Sequence, residues 1–279
     1  MGGSLGRALV QAGTCKQVRA LVRNGHAAKE VVGLGAADLA GTDARKLLEG
    51  ADLVVLATPV LTIEAQIATL HPFMKARSVI TDMGSVKRGV VQAMEQLPPH
   101  IHPVGGHPMC GKETRGIQAS DPDLFRDKVW VVTPLERSTP GAVALVKKLA
   151  TSVGAKPLAM NAEDHDSVAA CISHLPYLLA STLVGVAEDA SISQPGVWQL
   201  ASSGFRDTSR VAAGNLRMMM DILISNRDNL VAFLQMARNR IDRFMRLLED
   251  GDAVALESEL GPIRKRRSAM FPNNGKPLQ

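Results

Sequence analysis

The chain has 279 residues, 46% hydrophobic and 21% charged, enough apolar material for one large or two medium cores and too much for wholesale disorder. A net charge of +5 suits small anionic substrates or nucleotide phosphates, whereas 3% aromatic content leaves few stacking platforms for nucleic acid. Cys15, Cys110 and Cys171 are widely spaced and form no CxxC pair, so no metal site or disulfide framework is expected and a reducing cytoplasm is the simple setting; no signal peptide or apolar run of transmembrane length is expected either.

The chain opens on MGGSLGRALVQAG, a glycine pair that leads straight into a helical apolar pattern. In a dinucleotide-binding domain the first strand runs into GxGxxG, and the following helix directs its N-terminus at the pyrophosphate. Gly2, Gly3, Ser4 and Leu5 read as the end of that fingerprint, with Ser4 in the first helical turn. On this reading the first strand and two fingerprint glycines would precede Met1, and the sheet would show an empty slot with VRALV and LVVLA on the same side of it. The bland alternative is a glycine-rich terminus ahead of an ordinary surface helix.

Val-, Ile- and Leu-rich runs then recur as expected strands: VRALV (18–22), DLVVLATP (52–59), RSVITDMG (77–84), IHPVGGHPM (101–109) and KVWVVTP (128–134). Amphipathic helices are expected at 3–12, 26–33, 60–70, 86–96 and 140–152. The alternation implies a Rossmann-like α/β domain, a doubly wound parallel sheet over residues 1–160. After AKPLAMN (155–161) no strand run is convincing, and residues 161–279 read as an all-helical domain. One long helix covers 162–190, kinked at Pro176. Another covers 216–249, where Leu223, Leu230, Ala237 and Phe244, and Leu234, Ile241 and Leu248, recur every seven residues. That stripe fits packing within one domain or a helix shared across a dimer.

Several short stretches carry chemistry. A NAD site places a carboxylate at the end of its second strand, but LVRNGH offers Arg23 and Asn24 there, which favours a 2′-phosphate and hence NADP, with NAD as the second choice. Thr58 and Pro59, closing the run DLVVLATP, are assigned to the same cofactor site. Ser85 in TDMGSVKRG falls near the C-terminal edge of the sheet, where such folds bind ligands, although it would also serve as a plain N-cap. His107, between a glycine pair and a proline in GGHPMCG, reads as an uncrowded loop histidine able to act as acid, base or hydrogen-bond partner. His174 stands two residues before the expected kink. Arg206 and Arg210 are four apart in SSGFRDTSR, so on a helix they share a face suited to carboxylates, unless Asp207 and water satisfy them.

Taken together, GGSLG, TDMGSVK, GGHPMCGKETRG, LFRDKVWVVTP, ISHLPYLLA and ASSGFRDTSR, in this order from residue 2 to about residue 250, resemble the prephenate and arogenate dehydrogenases of tyrosine biosynthesis. The resemblance implies a Rossmann domain followed by a helical dimerisation domain, a homodimer, and oxidative decarboxylation of a cyclohexadienyl ring with NAD(P)⁺ taking the hydride. It implies that His107 accepts a hydrogen bond from, or the proton of, the ring hydroxyl, and that Ser85 orients that hydroxyl and the nicotinamide. Arg210 would bind a substrate carboxylate, assisted by Arg206 and His174. The resemblance leaves prephenate and arogenate unseparated. Competing readings are a non-catalytic nucleotide-binding homologue and a 3-hydroxyacid dehydrogenase. The latter typically carries a catalytic lysine on the inter-domain helix, and 162–190 contains none. Nucleic-acid binding through RKRR (264–267) and membrane association are not expected.

Overall fold

The computed structural model describes residues 1–112, 114 and 116–271. They fall into two compact units, one ending at Leu230 and the other beginning at Val231.

The first unit begins with helix α1 (Gly2–Ala12), strand β1 (Arg19–Leu21), α2 (Gly25–Gly33), β2 (Leu39–Gly41) and α3 (Ala44–Leu48). It continues through β3 (Leu53–Leu56), α4 (Val60–Leu70), β4 (Val79–Asp82), α5 (Arg88–Glu95), β5 (His102–Pro108), β6 (Val129–Pro134), α6 (Pro140–Ser152) and β7 (Lys156–Ala159). The strands form a five-stranded sheet in the order β3-β4-β5-β6-β7 and a separate two-stranded sheet, β1-β2. All four residues of β4 are buried, and its side chains alternate between the two faces. Ile80 joins Ile63 and Ile67 of α4 and Val90 and Met94 of α5 on one face. Val79 joins Leu5 and Leu9 of α1, Trp130 and Val132 of β6, and Val146 and Leu149 of α6 on the other. Each such fully buried side chain contributes roughly 1.5–3 kcal/mol, so the two-faced pattern fixes which helix lies on which side.

Five features differ from the sequence expectation. First, β5 and β6 are antiparallel, with His107 opposite Val131. A parallel pair needs a crossover, usually a helix, and the polar, Gly- and Pro-containing stretch between these two strands holds only a single 3₁₀ turn at Ile117–Ala119 among the described residues. Second, the break in the sheet lies between β1 and β3, so VRALV and LVVLA fall in different sheets instead of on one side of a slot. Third, β2, α3 and β7 were not expected. The two strands are short and half-exposed, without buried alternation to mark them, and Pro157 suits β7 as an edge strand. Fourth, the first compact unit runs beyond residue 160 to Leu230, because Tyr177, Met219 and Ile222 pack into the cluster beneath α4 and α5.

The fifth difference is in the helices. Residues 162–191 are helical throughout, but as α7 (Ala162–Ala169), a π-helical turn over Ala170–His174, and α8 (Leu175–Ser191). The irregularity precedes Pro176, which lacks the donor that a regular ladder requires and crowds the preceding turn. Ala162–Ser191 is long and apolar enough to cross a membrane, contrary to expectation. Its first half, however, buries His165, Asp166 and His174. Beyond it come α9 (Gly196–Leu200), α10 (Ser203–Ser209), a 3₁₀ turn over Arg210–Ala213, and α11 (Leu216–Ser225). The expected 216–249 helix is broken at buried Asn226, after which α12 (Arg227–Glu249) starts.

In the second unit, the remainder of α12 is followed by α13 (Ala253–Met270). Asp252 caps α13 by accepting from the Ala255 amide, and Arg243 pairs with Glu259 at 2.5 Å. Arg264, Lys265, Arg266 and Arg267 are exposed on α13.

Close approach dictates one residue of β5. A Cβ on Gly106 would lie 2.6 Å from the Asp82 carbonyl oxygen and 3.0 Å from Thr81 Oγ1. Gly106→Ala therefore has to push β4 and β5 apart. We expect it to lower stability by about 1–3 kcal/mol, seen as a lower guanidinium midpoint with an unchanged denaturant slope.

Candidate active site

The site grows from the loop between β4 and α5. Asp82, at the end of β4, is fully buried and turns its carboxylate back on that loop. Oδ2 accepts from the Gly84 amide at 2.8 Å, Oδ1 accepts from the Gly106 amide at 2.9 Å, and the Lys87 ammonium donates to Oδ2. Lys87 is itself fully buried and also donates to the Gly106 carbonyl at 2.8 Å. Burial pushes the Lys87 ammonium down from the ordinary lysine value, and the Asp82 carboxylate pulls it back up. The result ties the Ser85 loop to the strand that carries His107. Ser85 remains partly exposed, and Lys87, not Ser85, is the N-cap residue of α5.

The cap on α5 comes from elsewhere in the chain. Asp166 of α7 accepts from the Lys87 amide through Oδ1 at 2.6 Å and from the Arg88 amide through Oδ2 at 2.9 Å. First-turn helix amides have no partner within the helix, and a buried carboxylate fills that need here. Asp166 Oδ1 also lies 2.7 Å from His165 Nδ1, and His165 Nε2 lies 2.8 Å from His107 Nδ1. The two imidazoles meet edge to face, with centroids 5.0 Å apart and planes at 71°.

His107 is thus no uncrowded loop residue. It lies near the end of β5 and is 8% exposed. Burial above all, then the neighbouring His165, Lys87 and His174, push its pKa well below the ordinary histidine value, so the ring is neutral at pH 7. A neutral imidazole in a nearly dry site has the form that a proton acceptor requires.

His174 ends the π-helical turn and is almost wholly buried. Its Nδ1 is 3.2 Å from Asn226 Nδ2, which also donates to the Asp166 carbonyl at 2.7 Å. Burial lowers the His174 pKa to about 4, against an upward pull from Asp166. Arg206 and Arg210 lie farther along the chain, on α10 and the 3₁₀ turn that follows it. Arg206, exposed on α10, pairs with Asp207 at 2.9 Å; Arg210 is exposed at the start of the following 3₁₀ turn. Both segments pack on α8, the helix that begins immediately after His174.

The expected cofactor residues divide into two groups. Gly2 and Gly3 form the first residues of α1, and an added Cβ on Gly2 would come within 3.0 Å of Ala57 at the end of β3. Thr58, whose hydroxyl donates to Gln66 Oε1 at 2.7 Å, and Pro59, which caps α4, follow on that loop. A glycine-lined helix N-terminus beside a strand's C-terminal end fits a dinucleotide pyrophosphate. Ser4 and Leu5, however, are buried. The Ser4 hydroxyl accepts from the Asp121 amide at 3.0 Å, and Leu5 is in the core. They can serve such a ligand only through their backbone. Arg23 is exposed two residues after the end of β1, and Asn24 caps α2 by accepting from the Ala27 amide at 2.9 Å.

The residues that sequence reasoning missed are Asp82, Lys87, His165, Asp166 and Asn226. A signal for two of them was present. Ala162, His165, Asp166 and Ala169 follow the i, i+3, i+4, i+7 spacing of a buried helix face, and two ionisable residues on such a face call for partners.

The fold and these residues together match a known pattern. The family model for the prephenate dehydrogenase nucleotide-binding domain matches residues 5–158, and the model for the prephenate dehydrogenase dimerization domain matches residues 161–261. The chain belongs to the prephenate dehydrogenase family. Membership makes it an NAD(P)-binding oxidoreductase. It is 31% identical to the prephenate dehydrogenase of Bacillus subtilis over 273 residues, which covers 92% of this chain and 72% of the relative. Among solved structures, prephenate dehydrogenase of A. aeolicus in complex with hydroxyphenyl propionate and NAD⁺ superposes with a TM-score of 0.87 at 28% identity, covering 96% of this chain and 93% of the other. Synechocystis arogenate dehydrogenase gives a TM-score of 0.80 at 28% identity, covering 95% of each chain.

The buried histidines set a pH dependence of stability. His174 in the folded chain titrates near 4, below the ordinary 6.5 that it regains on unfolding. Above that ordinary value both states leave it neutral and nothing is lost; as pH falls toward 4 the unfolded chain binds the proton first and stability drops. His107, shifted in the same direction, adds to the effect. Urea midpoints should fall between pH 7 and pH 5, and His174→Gln should flatten that slope.

Proposed function

We propose that this chain is a soluble, cytoplasmic homodimer that catalyses the oxidative decarboxylation of prephenate to 4-hydroxyphenylpyruvate, as the B. subtilis relative's name indicates for that protein. Arogenate is the second substrate to test, because the Synechocystis structure of similar fold is an arogenate dehydrogenase. The observation that carries the reading is His107, a buried neutral imidazole anchored through Nδ1 and held beside the Ser85 loop by the Asp82–Lys87–Gly106 contacts. Dimerisation is supported by the dimerization-domain match and by exposed apolar residues along it, among them Val186, Ile192, Leu200, Met236 and Leu248.

Bound NAD(P)⁺ would supply the hydride acceptor. Gly2 and Gly3 would offer first-turn amides to its pyrophosphate, with Thr58 and Pro59 lining the neighbouring loop. His107 takes the hydrogen bond, and as charge develops the proton, of the ring hydroxyl, whose carbon is the one oxidised. Ser85 orients that hydroxyl. Arg210, with Arg206 and His174, holds a substrate carboxylate. Loss of CO₂ leaves its bonding pair in the ring, which becomes aromatic, so the protein has chiefly to orient substrate and match developing charge.

His107→Asn should lower kcat by roughly 10²–10⁴-fold while moving KM little; near-normal turnover by the folded variant removes His107 from the mechanism. Arg210→Ala should do the reverse and raise KM on the order of ten- to a hundredfold, the equivalent of about 1.5–3 kcal/mol for a charge-assisted hydrogen bond. Assays with prephenate and arogenate decide the substrate.

Cofactor preference rests on Arg23 alone. Its place two residues after the end of β1 is where a 2′-phosphate would be read, which favours NADP⁺, whereas the A. aeolicus relative was solved with NAD⁺. Titration with both cofactors should give tighter NADP⁺ binding, and Arg23→Ala should weaken NADP⁺ while sparing NAD⁺. Equal loss for both, or a wild-type preference for NAD⁺, rules out that role.

A further inference from the structure

A histidine can act as a proton acceptor only at the ring nitrogen that lacks a proton, and the nitrogen that carries one is set by what its other side touches. For His107 that other side is recorded. His165 Nδ1 lies 2.7 Å from the Asp166 carboxylate, whose two oxygens already act as acceptors for the Lys87 and Arg88 amides, so His165 donates its single ring proton from Nδ1 and its Nε2 is left as an acceptor. His165 Nε2 in turn lies 2.8 Å from His107 Nδ1, which must then be the donor. We infer that His165 and Asp166 are positioning residues that hold His107 as the Nδ1–H tautomer, leaving its Nε2 lone pair to meet the substrate hydroxyl. The assignment rests on the proposed role of His107 toward that hydroxyl.

The alignment is over-determined. His165 is 2% exposed and Asp166 is fully buried, so water does not compete for either contact. Asp166 cannot swing away, because its two oxygens also accept the Lys87 and Arg88 amides and its carbonyl accepts from Asn226. The charged and titratable groups acting on His107 are His165 from α7, Lys87 from the loop before α5, and His174 from the π-helical turn, with Asp166 linked to it through His165. When His107 takes a proton at Nε2, its Nδ1–H bond points into a chain that ends on a carboxylate, so the new positive charge is met by hydrogen bonds already made. No solvent has to reorganise at that moment.

The test reads the tautomer directly. Long-range ¹H–¹⁵N correlation spectra of the ligand-free chain, labelled at the seven histidine imidazoles and assigned through His107→Asn, should show His107 protonated at Nδ1 and bare at Nε2. His165→Leu removes the acceptor; His107 should then revert to the Nε2–H form that free imidazole side chains prefer. Its kcat should fall at least about tenfold, as expected when a base is held in the wrong tautomer, with cofactor affinity unchanged. Asp166→Asn keeps an acceptor but removes the charge. It should keep the tautomer and move the acid limb of the kcat/KM profile to lower pH. A wild-type His107 protonated at Nε2 overturns the inference. So does a folded His165→Leu that keeps both its tautomer and a kcat within about threefold of wild type. If His165→Leu does not fold, the wild-type spectrum decides. A wild type with the expected tautomer that turns over neither prephenate nor arogenate refutes the proposed function and leaves the tautomer assignment standing; full turnover with the Nε2–H form overturns this inference alone.

Discussion

The carboxylate of Asp166 is the contact on which the rest of the site depends. It lies on a helix beyond the nucleotide-binding strands, yet it supplies the first-turn cap of α5, nearly eighty residues earlier in the chain. The same group fixes His165 and, through its own backbone carbonyl, Asn226. A capping side chain normally belongs to the helix it caps. Here the cap is borrowed from α7, so docking of α7 supplies the partners of the Lys87 and Arg88 amides and, through His165, the partner of His107 Nδ1.

A second buried carboxylate works at the other end of the same loop. Asp82 gathers two backbone amides and the Lys87 ammonium, and Lys87 reaches across to the Gly106 carbonyl. These bonds set the spacing between β4 and β5 where no side chain fits, since Gly106 faces the Asp82 carbonyl. The antiparallel turn of the sheet at β5–β6 follows from the same region. Because β6 returns alongside β5 instead of crossing over, the end of β5 is flanked by Val131 and Trp130. His107 is thereby enclosed, and enclosure is what keeps its ring neutral.

How far this was legible in the sequence depended on the range of the interaction. Buried runs such as DLVVLATP and RSVITDMG announced β3 and β4, because a strand covered on both faces must be apolar throughout. GGHPM and SHLP singled out His107 and His174 by motif. β2 and β7 escaped, as three- and four-residue strands with half-exposed side chains carry no periodicity. His107 was expected on an open loop because its flanking glycines suggest freedom; what they provide is room for Asp82 and Lys87. His165 and Asp166 were visible only as polar residues on an apolar helix face. Their partners are Lys87, Arg88 and His107, and no local pattern links residues that far apart. Arg206 and Arg210 stood out as a pair, but the structure binds Arg206 to Asp207 and sets both on segments that pack against α8.

The burial of so many polar groups is itself informative. Desolvating a lysine and an aspartate costs several kcal/mol each, and a buried pair repays this only when its geometry is close to ideal; apolar replacements of the same volume are often as stable or more so. A chain selected for stability alone would have little reason to keep Lys87 and Asp82 dry, or to align Asp166, His165 and His107 in sequence. What the arrangement supplies is position. Each member has its hydrogen-bonding directions fixed by a neighbour that is itself fixed, ending at a neutral imidazole. The energetic cost is met by the two apolar layers above and below the sheet, where Ile63, Ile67, Val90 and Met94 on one side and Leu5, Trp130 and Val146 on the other are buried. The core thus holds a polar chain that would be unfavourable by itself, and that chain sets the orientation of the ring on which the proposed chemistry depends.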